Sequence, residues 1–100
     1  MKQKFGYALA SKQLVKDRMT VRFMYRETPD NVYDSGWRFF SGFESDEYVN
    51  NPNNIGIYDI STIIEIDPDI VPFLDMPAGS VFERAENGIL FSASESFDFN

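Results

Sequence analysis

Cysteine and histidine are both absent from this chain. With them go disulfides, thiol nucleophiles, Ser-His-Asp triads and zinc sites built from imidazole or thiolate. Basic residues are scarce: nine Lys and Arg stand against sixteen Asp and Glu, for a formal charge of −7 and a pI near 4.4. Phosphate binding draws on clustered Lys and Arg, so neither nucleic acid nor an anionic membrane is an expected partner. No apolar run approaches the ~20 residues of a membrane-spanning helix. Lys2 and Lys4 look like the charged start of a signal peptide, but the apolar stretch after them is short and runs into Ser11-Lys12-Gln13. A cytoplasmic protein is therefore expected. The six glycines, at 6, 36, 42, 56, 79 and 88, are scattered and form no phosphate-cradling loop. No cofactor and no metal is expected.

What is present suits one domain spanning residues 1–100. A chain of 100 residues, 43% hydrophobic, buries about 60–70% of its unfolded surface and so supports a real core without staples. Its charge is uneven: residues 1–38 sum to +4 and residues 39–100 to −11. Folding sets some of these charges against one another. The remainder forms an acidic face, which either serves solubility alone or steers a basic partner.

Alternation of apolar residues predicts the strands. Lys4 to Ala10 reads as one, with Phe5, Tyr7 and Leu9 on one face and Gly6, Ala8 and Ala10 on the other. Ser11 to Asp17 is a connector able to form one helical turn. Thr20 to Glu27 is the cleanest strand, with Val21, Phe23 and Tyr25 alternating with Arg22, Met24 and Arg26, which reads as one face in the core and one toward water. After the turn formers Thr28-Pro29-Asp30-Asn31 comes Gly36 to Gly42. It carries aromatic weight on both faces, which suits a central strand or one covered by a helix.

Glu44 to Asn50 reads as a short helix with acids at its start, where they complement the helix dipole. Ile55 to Tyr58 is β-prone, and Ile60, Ile63 and Ile64 are spaced for a short helix ending at Asp67, before Pro68. Residues 69–76 hold Pro72 and are followed by Pro77, which predicts turns or 3₁₀ pieces. Val81 to Glu86 and Ile89 to Ser94 flank Asn87-Gly88 as a hairpin. The tail Phe97-Asp98-Phe99-Asn100 alternates enough to add a strand at an edge. The expected fold is α+β and β-rich: a mainly antiparallel sheet of about five or six strands with one or two short helices to one side.

Few groups here carry chemistry. Glu44, Asp46 and Glu47 cluster after Gly42, but the EF-hand order is absent and a solvated helix N-terminus accounts for them better than a metal or an acid–base pair. Asp67-Pro68-Asp69 reads as a helix cap with proline at the first position. No constellation couples a nucleophile to a base, so an enzyme is not expected, and no catalytic residue is assigned. The densest feature is Tyr33 to Phe40. Trp37, the sole tryptophan, is a core anchor that needs its indole N–H satisfied, or, if partly exposed with Arg38, a binding hot spot. Arg38, Tyr33 and Tyr48 are candidates for surface recognition.

The run Tyr33-Asp-Ser-Gly-Trp37-Arg-Phe-Phe-Ser-Gly42-Phe-Glu44, then Asp46-Glu47-Tyr48, resembles the bacterial immunity protein 33 domain family, also filed as a domain of unknown function. Asn54-Ile-Gly-Ile-Tyr-Asp59, Gly79-Ser-Val-Phe-Glu83-Arg84 and the stretch from Tyr25-Arg26-Glu27 to Asp30 extend the resemblance over roughly residues 5–92. The family is described by a Trp motif and a Gly-Glu motif. Gly36 and Trp37 fall in the first. Gly42 and Glu44 approximate the second, with Phe43 intervening. The resemblance implies a protein that binds and neutralises a cognate toxin, although many members of the family stand alone without an assigned role.

Two functions follow as expectations. One is a non-enzymatic protein-binding domain that meets a protein toxin through its acidic face, with Arg38, Glu44, Asp46, Glu47 and Tyr48 as contact candidates. The other is a stand-alone module that binds a small ligand or self-associates as a homodimer.

Overall fold

The computed structural model describes residues 6–86 and the backbone of residues 91–93. Six strands form one mixed sheet: β1 (Tyr7–Ser11), β2 (Phe23–Arg26), β3 (Asp34–Phe40), β4 (Ile55–Asp59), β5 (Val81–Arg84) and β6 (Phe91–Ala93), in the spatial order β4-β1-β3-β2-β5-β6. Only β1 and β3 run parallel, so the sheet is mainly antiparallel and the fold is α+β as expected. The described residues hold three short α-helices, α1 (Lys12–Lys16), α2 (Asp46–Val49) and α3 (Ile60–Ile66), and two 3₁₀ turns, Pro52–Asn54 and Pro68–Phe73. The Asn87-Gly88 turn and the Phe97 to Asn100 tail lie outside the described residues.

The sheet has one covered face. The chain leaves the outer strand β4, crosses the sheet as α3 and the 3₁₀ turn, and reaches β5 on the far side. This crossing buries Ile60, Ile63, Ile70 and Leu74 against Ala8, Ala10, Met24, Trp37, Phe39 and Phe82, with Leu14 of α1 closing one end. Small Ala8 and Ala10 sit in the same cluster as bulky Trp37 and Phe39, the large-and-small interleaving that close packing needs. The Asp67-Pro68 cap was legible in the sequence and the Ser11 cap was not. Ser11 accepts from Leu14 N–H at the start of α1, and Asp67 ends α3 while accepting from Asp69 N–H to start the 3₁₀ turn, with Pro68 at its first position.

Alternation in β2 was correct but its sides differ from the expected ones. Met24 is buried in the core, whereas Phe23 and Tyr25 sit half-buried on the opposite face. The reason is register: Met24 pairs with Phe39 and with Phe82, both on the covered face, so Phe23 and Tyr25 fall beside Phe40 and Arg38 on the other.

Candidate functional site

Strand period 2 places Asp34, Gly36 and Arg38 on one face of β3. There the Arg38 guanidinium grips both Asp34 oxygens, Nη1 to Oδ1 and Nη2 to Oδ2 at 3.0 Å each, and its Nε donates to Glu27 Oε2 at 2.6 Å. Arg38 is 3% exposed. The surface role expected for it gives way to a structural one, because this bidentate fork satisfies it inside the fold. Burial alone would raise the Asp34 carboxyl, but hydrogen bonds from Arg38 and from the Asp30 and Gly36 amides, with the Arg38 charge, hold it down to about 2. Burial likewise disfavours the Arg38 cation, and its two carboxylate partners more than reverse that, so Arg38 stays charged. Gly36 makes the site possible. Its φ is +88°, and a Cβ there would lie 2.4 Å from the Glu27 carbonyl oxygen. Next to it, Trp37 is a core anchor: fully buried, its Nε1 donates to the Leu74 carbonyl at 3.1 Å.

Glu44 also works internally. Its Oε2 accepts from Ser41 N–H at 2.8 Å and from the Ser41 and Ser11 hydroxyls, and its Oε1 accepts from Gly42 N–H at 3.0 Å. Burial opposes the charge, but the Ser11 and Ser41 donors win and hold its carboxyl below the usual range. Glu44 therefore stops short of the helix expected to begin with it. Ser45 caps instead, accepting from Tyr48 N–H, and α2 starts at Asp46. The Tyr48 hydroxyl accepts from Gln13 N–H at 2.9 Å, tying α2 to α1.

Asp46 and Glu47 differ from these. Both are exposed in the first turn of α2, and among the described residues no hydrogen bond or ion pair engages either carboxylate. Asp46 lies on the wall of an open groove of about 740 Å³. Phe23, Tyr25 and Phe40 line it, with Tyr25 and Phe40 stacked at 6.2 Å, and Glu83 of β5 is on its wall too. Burial, then the Glu27 charge, raises the Tyr25 phenol, with Arg38 opposing. Tyr33 is 74% exposed on the β2–β3 loop. Among the described residues no three acids are grouped to hold a metal ion.

Sequence reasoning missed a second buried arginine. Arg84 donates from Nη2 to Asp67 Oδ2 at 2.8 Å, from Nη1 to Asp69 at 3.2 Å, and from Nε to the Val21 carbonyl at 2.9 Å. Asp67 Oδ2 accepts from Val21 N–H as well. Arg26 is held over the Trp37 ring at 5.7 Å and donates to the Ser35 and Met76 carbonyls. The consequence is a redistribution of charge. Of the seven described bases, only Lys12, Lys16 and Arg18, on and just after α1, are exposed. Exposed acids are spread over the rest, at Asp30, Asp46, Glu47, Asp59, Glu65, Asp69, Asp75, Glu83 and Glu86, and Asp17 sits among the three bases.

Residues 8–94 match the model of the Immunity protein Imm33 domain. The chain belongs to that family. No curated protein and no solved structure matches the chain. In this Imm33 domain the residues that carried the resemblance hold the fold together: Trp37 in the core, Arg38 in its carboxylate fork, and Gly42 with Glu44 in the corner that locks the end of β3 to the start of α1. No helix among the described residues is long and apolar enough to cross a membrane.

Proposed function

We propose that this Imm33 domain is a non-enzymatic immunity protein that neutralises a bacterial toxin by binding it, and that the acidic surface around α2 is the contact. The observation that carries the reading is the division of charge. Arg38 and Arg84 are consumed inside, while Asp46 and Glu47 stand at the surface with no internal duty. A surface of this kind attracts a basic protein and repels polyanions, so the partner is a basic toxin rather than nucleic acid or membrane. The groove beside Asp46 has aromatic walls, the exposed carboxylates of Asp46 and Glu83, and the half-buried Arg22, which donates to the Ala85 carbonyl, so a Lys or Arg side chain of that toxin would enter beside the two acids. Glu44 and Tyr48 support the contact by fixing α2, and Arg38 supports it only through the sheet beneath.

The test is capture of partners by the tagged chain at low and high salt, with the product of any adjacent toxin-like gene included. The expected result is one stoichiometric basic protein, held more weakly as salt rises. Retention of no stoichiometric partner at either salt sinks the reading. Charge reversal of Asp46 and Glu47 together should then slow association about tenfold while leaving dissociation nearly unchanged.

A further inference from the structure

Between β2 and β3 the chain turns at residues 31–34, where Asp34 N–H donates to the Asn31 carbonyl at 3.2 Å. The two corner residues are Val32 and Tyr33. Turn corners ordinarily carry Gly, Pro, Asn, Asp or Ser, whereas β-branched and aromatic residues suit strands. Val32 is 91% exposed and Tyr33 74%, the highest values for large hydrophobic side chains among the described residues. An isolated exposed apolar residue needs no explanation, but two adjacent ones at a turn break a local rule, and such breaks concentrate at functional sites. The turn itself is firmly held. Tyr33 N–H donates to Asn31 Oδ1 at 2.8 Å, and Asn31 Nδ2 donates to the Tyr7 hydroxyl at 3.1 Å. The Tyr33 carbonyl accepts from Tyr7 N–H at 2.9 Å. It also lies against Gly6, whose φ is +78° and where a Cβ would come within 2.3 Å of the carbonyl oxygen. Asp34 Oδ2 takes Asp30 N–H at 2.9 Å as well as the Arg38 guanidinium, so the buried fork clamps the base of the loop.

We propose that Val32 and Tyr33 are a pre-organised anchor that enters an apolar pocket, rimmed by Lys or Arg, on the toxin that the acidic surface around α2 attracts, a proposal that rests on the toxin reading. Tyrosine is among the residue types that dominate binding energy, and a side chain carried on a fixed backbone gives up little freedom when it is buried. The basic rim follows from charge. Asp30 stands exposed two residues before Val32, and the exposed bases among the described residues are confined to α1 and the residues just after it. A second copy of the chain fits worse, because its aromatic groove is bordered by Asp46 and Glu83, which would repel Asp30. The anchor precedes β3 and α2 follows it. That strand is seven residues long, so the two lie about 20 Å apart along it. An interface of ~800 Å² on each partner, roughly 30 Å across, reaches both. The acids of α2 steer the toxin in, and the anchor holds it.

Binding kinetics of the captured toxin with the full wild-type chain and with the Val32→Ala, Tyr33→Ala double variant test this, alongside both melting temperatures and nuclear spin relaxation of the free chain. The variant should release the toxin at least about 30-fold faster. Its association rate, the salt dependence of that rate and its melting temperature should match the wild type, the reverse of the slowed association expected on reversing Asp46 and Glu47. In the free chain the Val32, Tyr33 and Asp34 amides should show order parameters of about 0.85, like those of the strands. Order parameters below about 0.6 at the turn overturn the pre-organised anchor. So does faster release accompanied by a lowered melting temperature, which would place the effect in the fold. Self-association of the wild-type chain that the double variant abolishes overturns it too, because a second copy would then be the occupant. Capture of a toxin whose release the variant leaves unchanged removes the anchor alone, whereas capture of no toxin removes the toxin reading and the anchor together.

Discussion

Asp34 and Asp46 are the same side chain in two situations. Asp34 is buried and gripped at both oxygens by Arg38. Asp46 stands in water at the first turn of α2 with no partner among the described residues. Asp67, under Arg84, belongs with Asp34, and Glu47 belongs with Asp46. Glu44 lies between, half-buried and engaged by two serines and two backbone amides. In the sequence all of these acids contribute alike to a net charge of −7. In the fold the first set neutralises buried arginines and the second stands at the surface, where the proposed toxin contact lies. A net charge thus says little about which carboxylates are available until their internal duties have been assigned.

Removing the charge at each position should expose this ranking. Asp34→Asn keeps the shape but leaves a buried Arg38 facing only Glu27, and should lower the unfolding free energy by about 3 kcal/mol in a urea titration. Next in size is acid. The Asp34 carboxyl titrates at about 2 in the fold, against 3.8 for an unperturbed group. Its stabilisation is therefore complete above the unfolded value and lost as pH falls toward the folded one. That amounts to about 2 kcal/mol between roughly pH 4 and pH 2, and Asp34→Asn should flatten this part of the stability profile. Glu44→Gln weakens charge-assisted bonds at a half-buried corner and should cost about 1–2 kcal/mol, measured in the same titration. Asp46→Asn and Glu47→Gln should change stability by no more than about 0.5 kcal/mol. If either α2 variant unfolds as readily as Asp34→Asn, the division between the two sets of acids is broken.

Much of the architecture was legible because local rules decided it. Asp67-Pro68 announced a cap, Ile60, Ile63 and Ile64 a helix, and the alternation at 21–26 a strand. Sheet order was not. The parallel pairing of β1 with β3 depends on where β2 and β4 settle, which no local pattern encodes. The same gap misplaced Phe23 and Tyr25, since alternation separates two faces without saying which of them α3 and the 3₁₀ turn will cover. For the site, the exposure of Asp46 and Glu47 agreed with reading them as a helix start. Arg38 was misplaced at the surface although its partner was visible: Asp34 lies four residues earlier in the same strand, and period 2 puts the two on one face. The Arg84–Asp67 pair spans 17 residues and unites β5 with the end of α3, a contact that only the folded chain reveals.

The most direct test of the two duties is the association rate of the captured toxin with the wild-type chain and with the Asp46→Lys, Glu47→Lys double variant, measured from low to high salt alongside the urea midpoint of each. The account predicts that association is about tenfold slower for the variant, that its salt dependence is flattened, and that the two midpoints coincide. An unchanged rate with an unchanged salt slope would contradict it, and would mean that the toxin meets some other face of the sheet.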